Sequence, residues 1–347
     1  MIVPAHDEAL VIERTVASLV KLDWPGERRR VIVIADNCQD ATAQLARAAG
    51  ATVLERHDPQ RRGKGYALEF AFRASLDQGW ADAVAVVDAD SEVSPNLLEA
   101  FACRIERGER AVQAHYGILN PHASWRTQLL SIAMAAFHVV RSRARERLAL
   151  SCGIRGNGWC LASELLRKVP YRAFSLAEDL EYGIELGLAG YRVAYADEAR
   201  ADGEMVTSER IARKQRQRWE GGRFELVATR TWPLLREAAR RPSAVCLDLA
   251  LDLLLLPLSY VALNVAAFAA LAVAATGRLG ADPAWLWVAA ACCAGLLAHV
   301  LRAWQLSGLG LRGLLTLVRV PGFVLWKLAL LARRRPQQWV RTEREKL

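Results

Sequence analysis

The chain has 347 residues, enough for one large domain with an appendage or for two, and its 46 Lys and Arg outnumber its 37 Asp and Glu for a formal charge of +9. The basic residues form no aromatic-interleaved patch, so this charge argues for an anionic membrane leaflet as partner and against nucleic acid. Seven cysteines, an odd number with no Cys-x-x-Cys pair, exclude a disulfide framework and a zinc site and leave reduced thiols.

Met1 is followed directly by Ile2-Val3-Pro4, with neither a basic leader nor a long apolar core. No cleavable secretory signal is therefore expected, and the soluble part is expected in the cytosol. Short apolar runs then alternate with helical stretches: Ile2-Val3, a helix from about Glu8 to Val20, Val31 to Ala35, a helix from Ala41 to Ala49, Thr52 to Leu54, a helix after Gly65, and Ala83 to Val87. This rhythm predicts an α/β fold with a doubly wound, mostly parallel sheet. After Asp90 the rhythm changes. A strand is predicted at Ala111 to Gly117, a long amphipathic helix at Trp125 to Leu148, a strand at Tyr191 to Tyr195, and a very basic helix at Ser208 to Arg240, with Pro242 as the hinge into an apolar C-terminal region.

In open α/β sheets ligands collect beyond the carboxyl ends of the strands, and three such ends here carry acids. Pro4-Ala5-His6-Asp7-Glu8 closes the first strand and opens a helix, where Asp7 and Glu8 suit the helix dipole as well as a ligand. His6 has no partner at ligand spacing, which argues against a metal role. Asp36-Asn37-Cys38-Gln39-Asp40 follows the second strand; Asp40 is placed to cap the next helix, and Asp36 at the strand tip is free to accept hydrogen bonds from a base or ribose. Asp88-Ala89-Asp90 follows the apolar strand Ala83 to Val87, where two acids could form only a turn and cap or could hold a nucleotide and its metal.

Arg61-Arg62-Gly63-Lys64-Gly65 is short, basic and flexible, which suits either an exposed turn or close approach to a diphosphate; it lacks the glycine spacing of a Walker A loop. Ala177-Glu178-Asp179-Leu180-Glu181 gathers three acids in the first turn of a helix, as dipole compensation or as the source of a general base. On the basic helix, Gln215, Arg218 and Trp219 share a face. An Arg there can fork onto phosphate and an indole can carry a sugar ring, although a solvated helix with one buried Trp reads the same way.

Charge thins out after about Arg241. Residues 1–240 are expected to form a cytosolic catalytic domain and residues 241–347 a membrane region, with spans near 249–275 and 284–304. Trp285, Trp287 and Trp304 suit an interfacial aromatic belt, and Asp248 and Asp252, one helical turn apart at the membrane entry, read as solvated interfacial groups. Arg312, Arg319, Lys327 and Pro321-Gly322 interrupt residues 309–332, which predicts a broken or interfacial helix followed by a basic tail on the cytosolic side.

Taken in order, Pro4 to Glu8, Asp36, Lys64 in Gly63-Lys64-Gly65, Asp88-Ala89-Asp90, Glu178-Asp179 and Gln215-x-x-Arg218-Trp219, followed by apolar helices, resemble the family 2 glycosyltransferases of GT-A fold, over nearly the whole chain. The likeness is to their membrane-integrated branch, which includes cellulose, chitin and hyaluronan synthases. It implies an inverting, multi-pass enzyme of the inner or plasma membrane that passes a sugar from a nucleotide sugar, UDP-linked by expectation, to a growing polysaccharide or a lipid acceptor.

By that resemblance Asp179 is the catalytic base, Asp90 ligates Mg2+ or Mn2+, and Pro4, Ala5, Glu8, Asp36, Lys64, Asp88, Glu178, Gln215, Arg218 and Trp219 line the substrate site, with Trp219 stacking at the acceptor. The loop Gly156-Asn157-Gly158-Trp159-Cys160 falls where relatives place a segment beside the acceptor but lacks the Cys-Gly-Ser form of cellulose synthases. Partners expected are the donor, a glycan or lipid acceptor and membrane lipids, with a homo-oligomer or a synthase complex left open. An inactive scaffold subunit of such a complex is the alternative.

Overall fold

A computed structural model of the chain describes residues 1–320 and residue 322. The later part of the expected broken helix and the basic tail lie outside the described residues. The chain divides into two compact units, one of residues 1–120 and 141–253 and one of residues 121–140 and the helices from 254 onward.

The first unit is built on an eight-stranded sheet of order β3-β2-β1-β4-β7-β6-β8-β5. β1 (Ile2–Ala5) pairs in parallel with β2 (Ile32–Asp36) and β4 (Ala83–Val86), and β3 (Thr52–Arg56) pairs in parallel with β2. This half is the alternating βα pattern read from the sequence. Beyond it the sheet is mixed. β7 (Trp159–Ala162) runs antiparallel to both β4 and β6 (Ala111–Ile118), β8 (Ala194–Gly203) is parallel to β6, and β5 (Ser91–Val93) is antiparallel to β8. The predicted strand at Tyr191 to Tyr195 is thus displaced: its observed counterpart carries Asp197, Glu198, Arg200 and Asp202, whose charges mask a strand pattern.

Helices cover both faces because each presents an apolar stripe. α1 (Ile12–Val20) buries Ile12, Thr15, Val16 and Leu19, the spacing of one helical face. With α2 (Thr42–Ala48) and α4 (Leu97–Glu106) it packs Val16, Ala46 and Phe101 against Val3, Val33 and Val87. On the opposite face Leu68 and Phe72 of α3 (Lys64–Gln78) pack with Trp159 and Tyr182. Burying each such aliphatic or aromatic side chain contributes about 1.5–3 kcal/mol. The helix expected from Glu8 starts later, at Ile12, because Asp7 has a positive φ of 53° and the Glu8 carbonyl accepts the amides of Val11 and Ile12 in a turn.

The long helix predicted over Trp125 to Leu148 is three pieces: α5 (Trp125–Met134), a π-helical segment Ala135–Val140, and α6 (Arg141–Arg147). The division between the units falls after Val140. The first unit continues with α7 (Ser163–Lys168), α8 (Glu178–Leu188) and the 32-residue α9 (Glu209–Arg240).

α10 (Ala244–Leu254) corrects the expected first span near 249–275. Cys246, Leu249, Ala250 and Leu253 pack with Ile184, Leu226 and Leu234, so the apolar residues at the start of the expected span serve the core of the first unit. Pro257 then caps a separate helix, as its missing N–H and fixed φ dictate. Nor is Asp252 a solvated interfacial group, being 3% exposed among guanidinium groups; Asp248, half-buried beside it, accepts Arg145 Nε at 2.7 Å through Oδ2.

In the second unit, α11 (Leu258–Leu279) and α12 (Ala284–Ser307) have mean hydropathies of 2.0 and 1.9 over their most apolar windows, of which 6% is buried. Both are long and apolar enough to cross a bilayer. Ile132, Ala136 and Val139 pack with Ala303 and Leu309, and α13 (Gly310–Thr316) opens the expected broken segment.

Candidate active site

Lys64 is the hub. It is the first residue of α3, and its Nζ donates to Asp88 Oδ1 at 2.5 Å and to the Gly156 carbonyl at 2.6 Å while standing 3.9 Å from Glu178 Oε1. One ammonium therefore joins the acids beyond β4 to the acid turn that opens α8. Burial works against its charge, but Asp88 and Glu178 outweigh that and hold the Lys64 ammonium above its ordinary pKa.

Two buried amides fix this arrangement: Asn157, in the loop quoted above without a role of its own, and Gln113, which the sequence reading did not name. Asn157, fully buried, accepts the Asp88 amide at 3.0 Å through Oδ1 and donates to Ser91 Oγ at 2.8 Å through Nδ2, bracing both sides of Asp88-Ala89-Asp90. Gln113 on β6 donates to the Asn157 carbonyl at 2.7 Å and accepts the Arg155 amide at 2.8 Å. Gln113 signalled itself only as a polar residue inside the apolar run Ala111 to Ala114, and Asn157 only as a polar residue between two glycines; once buried, both demand internal partners. Asp90 lies beside Ser91, whose Oγ donates to Asp90 Oδ1 at 3.3 Å.

The three acids of the Glu178 turn have separated in role. Glu181 Oε2 accepts the amides of Phe174 and Ser175 at 3.1 and 3.0 Å, and its Oε1 accepts Arg230 at 3.2 Å. Glu178 faces Lys64. Asp179 faces Gly156: a Cβ placed on that glycine would stand 3.3 Å from Asp179 Oδ2, and its φ of +86° is one that side-chain-bearing residues rarely adopt.

Burial pushes the Glu178 carboxyl up to about 7, with Lys64 opposing the shift and Asp179 adding to it. The native state then keeps a proton that the unfolded chain releases from about 4.5, so stability falls as pH rises between these values. Glu178→Gln is expected to flatten that fall. Thermal melts at about pH 5 and about pH 8 test it, and an unchanged difference between the two conditions would refute it.

α9 meets the acid turn at Gly222, where a Cβ would come within 2.9 Å of the Ala177 amide nitrogen and 3.1 Å of the Leu176 carbonyl carbon. No side chain fits at this backbone contact. Gln215, Arg218 and Trp219 lie one and two turns earlier on the same face of α9 as Gly222. Trp219 is exposed at 36%, not the single buried Trp of the structural alternative.

The groups beyond β1 and β2 form a separate cluster. Asp36 is buried rather than free at its strand tip: Arg56 Nη1 donates to its Oδ1 at 2.5 Å and Asn37 Nδ2 to the same oxygen at 3.1 Å. Burial raises its pKa against the pull of Arg56. Pro4 and Ala5 end β1, and the Glu8 amide donates to Thr42 Oγ1 at 2.7 Å. His6 Nδ1 donates to the Asp36 carbonyl at 2.7 Å. Ligand atoms of Asp7, Cys38 and Asp40 lie within 4.8 Å of one another, yet these carboxylates accept the backbone amides of Gln39, Thr42 and Ala9, as turn and cap groups do. Arg61 is held by Asp58 at 2.7 Å.

The sequence and the fold both have counterparts among known proteins. A family described as "Glycosyltransferase like family 2" matches residues 1–222. Over 238 residues the chain is 24% identical to a probable glycosyltransferase, YdaM, of Bacillus subtilis, covering 65% of this chain and 55% of that protein. Over 236 residues it is 28% identical to a beta-monoglucosyldiacylglycerol synthase of Synechocystis, covering 65% and 47% respectively. The chain thus spans about half the length of these curated relatives. Among solved structures, a mannosyltransferase of Pyrobaculum calidifontis in complex with GDP-Man and Mn2+ superposes with a TM-score of 0.50 at 17% identity, over 94% of this chain and 86% of that one. With the family match covering most of its length, the chain belongs to glycosyltransferase family 2.

Proposed function

We propose that the chain is an inverting, membrane-bound glycosyltransferase that passes a sugar from a nucleotide sugar, UDP-linked in the first instance, to a glycan or lipid acceptor. The observation that carries this reading is the Lys64 bridge, which joins Asp88, beyond β4, to Glu178 in the acid turn that also holds Asp179. A donor needs both: groups for its diphosphate and sugar, and a base opposite its leaving group.

In this reading Asp36, Lys64 and Asp88 hold the nucleotide and sugar, with Pro4, Ala5, Glu8 and Glu178 lining the crevice. Asp90 is a hard oxygen donor suited to Mg2+ or Mn2+, which when bound neutralises charge on the diphosphate. Asp179 takes the proton of the acceptor hydroxyl as its oxygen bonds to the anomeric carbon. The bond from that carbon to the diphosphate oxygen breaks, and the nucleoside diphosphate leaves with the electron pair from the opposite face. Gln215 and Arg218 meet the growing negative charge, and Trp219 offers a flat surface to the acceptor. α11 and α12, long and apolar enough to cross a bilayer, support anchoring in a membrane.

The test is a donor screen. The full chain in detergent is incubated with UDP-glucose, UDP-N-acetylglucosamine or GDP-mannose and Mn2+ or Mg2+, with lipid and oligosaccharide acceptors, and products are identified by mass. Sugar transfer to an acceptor is expected. Neither transfer nor donor hydrolysis with any donor would favour a scaffold without activity.

A further inference from the structure

Four arginines, two on α6, one in the loop before β7 and one on α9, converge on two aspartates of α10. Asp252, 3% exposed, receives Arg145 Nη2 at 2.9 Å and Arg141 on one carboxylate oxygen, and Arg155 Nη1 lies 3.8 Å from the other. Its backbone carbonyl accepts Arg223. Asp248 pairs with Arg145 alongside.

Two of these arginines adjoin the glycines that touch the acid turn. Arg155 precedes Gly156, which faces the Asp179 carboxylate and gives its carbonyl to Lys64. Arg223 follows Gly222, which packs on the backbone of Leu176 and Ala177, immediately before Glu178. Asp252 thus holds, through its carboxylate, the neighbour of the glycine that faces Asp179 and, through its backbone carbonyl, the neighbour of the glycine that packs on the chain just before Glu178. A surface ion pair does not bring this about: Asp252, Arg145 and Arg155 are all buried, where unpaired charge is costly and geometry is correspondingly strict.

We propose that Asp252 is a positioning residue for Asp179: its carboxylate, paired with Arg155, sets the placing of Gly156 beside that acid, and its carbonyl, held by Arg223, sets the packing of Gly222 on the turn before Glu178. The assignment rests on the reading of Asp179 as base. It makes α10, the helix that leads into the apolar α11, part of the catalytic framework without contact with substrate.

The experiment compares wild type, Asp252→Asn and Asp179→Asn as full chains in detergent, following nucleoside diphosphate release from UDP-glucose, UDP-N-acetylglucosamine or GDP-mannose with Mn2+, together with UDP and GDP binding and thermal melts. Misplacement of a reacting group by about 1 Å can cost about 100-fold, so Asp252→Asn is expected to lower kcat by about 10- to 100-fold while donor KM and nucleotide affinity stay within about twofold. A lowered melting temperature with unchanged kcat, or parallel loss of nucleotide affinity, would make Asp252 merely structural and overturn the proposal. If Asp252→Asn does not fold, Arg223→Lys, which keeps the charge but shortens the reach to the Asp252 carbonyl, should show the same kcat-only loss, and full turnover there overturns it. Wild-type turnover in Asp179→Asn instead overturns the base assignment itself, and with it the role of Asp252 toward that base.

Discussion

Asp179→Asn is expected to lower sugar transfer by about 10³-fold while leaving nucleotide binding within about twofold of wild type. A positioned general base contributes about 10²–10⁴-fold, and a single displacement uses one such group. The neighbouring acids are poorly placed to replace it: Glu181 is held by two backbone amides and Arg230, and Glu178 faces Lys64. The amide keeps the size of the carboxylate beside Gly156, so the crevice should retain its shape and its nucleotide. Steady-state transfer rates with UDP and GDP titrations read the two effects separately. Transfer within about tenfold of wild type would remove Asp179 from the role of base.

Lys64→Met is expected to act on binding and stability together. The ammonium lies between Asp88 and Glu178 and satisfies the Gly156 carbonyl; without it, two carboxylates and a carbonyl face one another with no cation between them. Breaking a fully buried ion pair costs about 3–5 kcal/mol; the side chain here is 23% exposed, so a loss of about 1–3 kcal/mol is expected by denaturant melts. A donor diphosphate would also meet uncompensated negative charge, so kcat/KM should fall by about 10²- to 10³-fold, mostly through KM. A fall confined to kcat would mean that Lys64 acts on the chemical step and not on donor binding.

Local pattern carried much of the fold. The βα alternation of the first 90 residues, the acids after β1, β2 and β4, the acid turn of α8 and the two apolar helices all have one-dimensional signals: periodicity, composition or position relative to a strand end. Where local pattern failed, a tertiary partner had overridden it. Leu249, Ala250 and Leu253 suit a membrane span by hydropathy, yet they complete a core with Ile184, Leu226 and Leu234. The strand predicted at Tyr191 to Tyr195 runs instead to Gly203, because pairing with β6 and β5 supplies its hydrogen bonds whatever its charged side chains suggest.

By itself the sequence determined which residue types stand at the strand ends, that they resemble a nucleotide-sugar site, and that apolar helices come after them. Only the tertiary structure decided which charges meet. Lys64 reaches a carbonyl 92 residues away and Arg145 a carboxylate 107 residues away. Hydropathy and spacing report how a residue suits its own helix or strand, whereas the state of an ionisable group depends on what is brought within a few ångströms of it. For that reason Asp179 could be separated from Glu178 and Glu181, and Asp252 moved from a solvated interface to a buried clamp, only once the chain was folded.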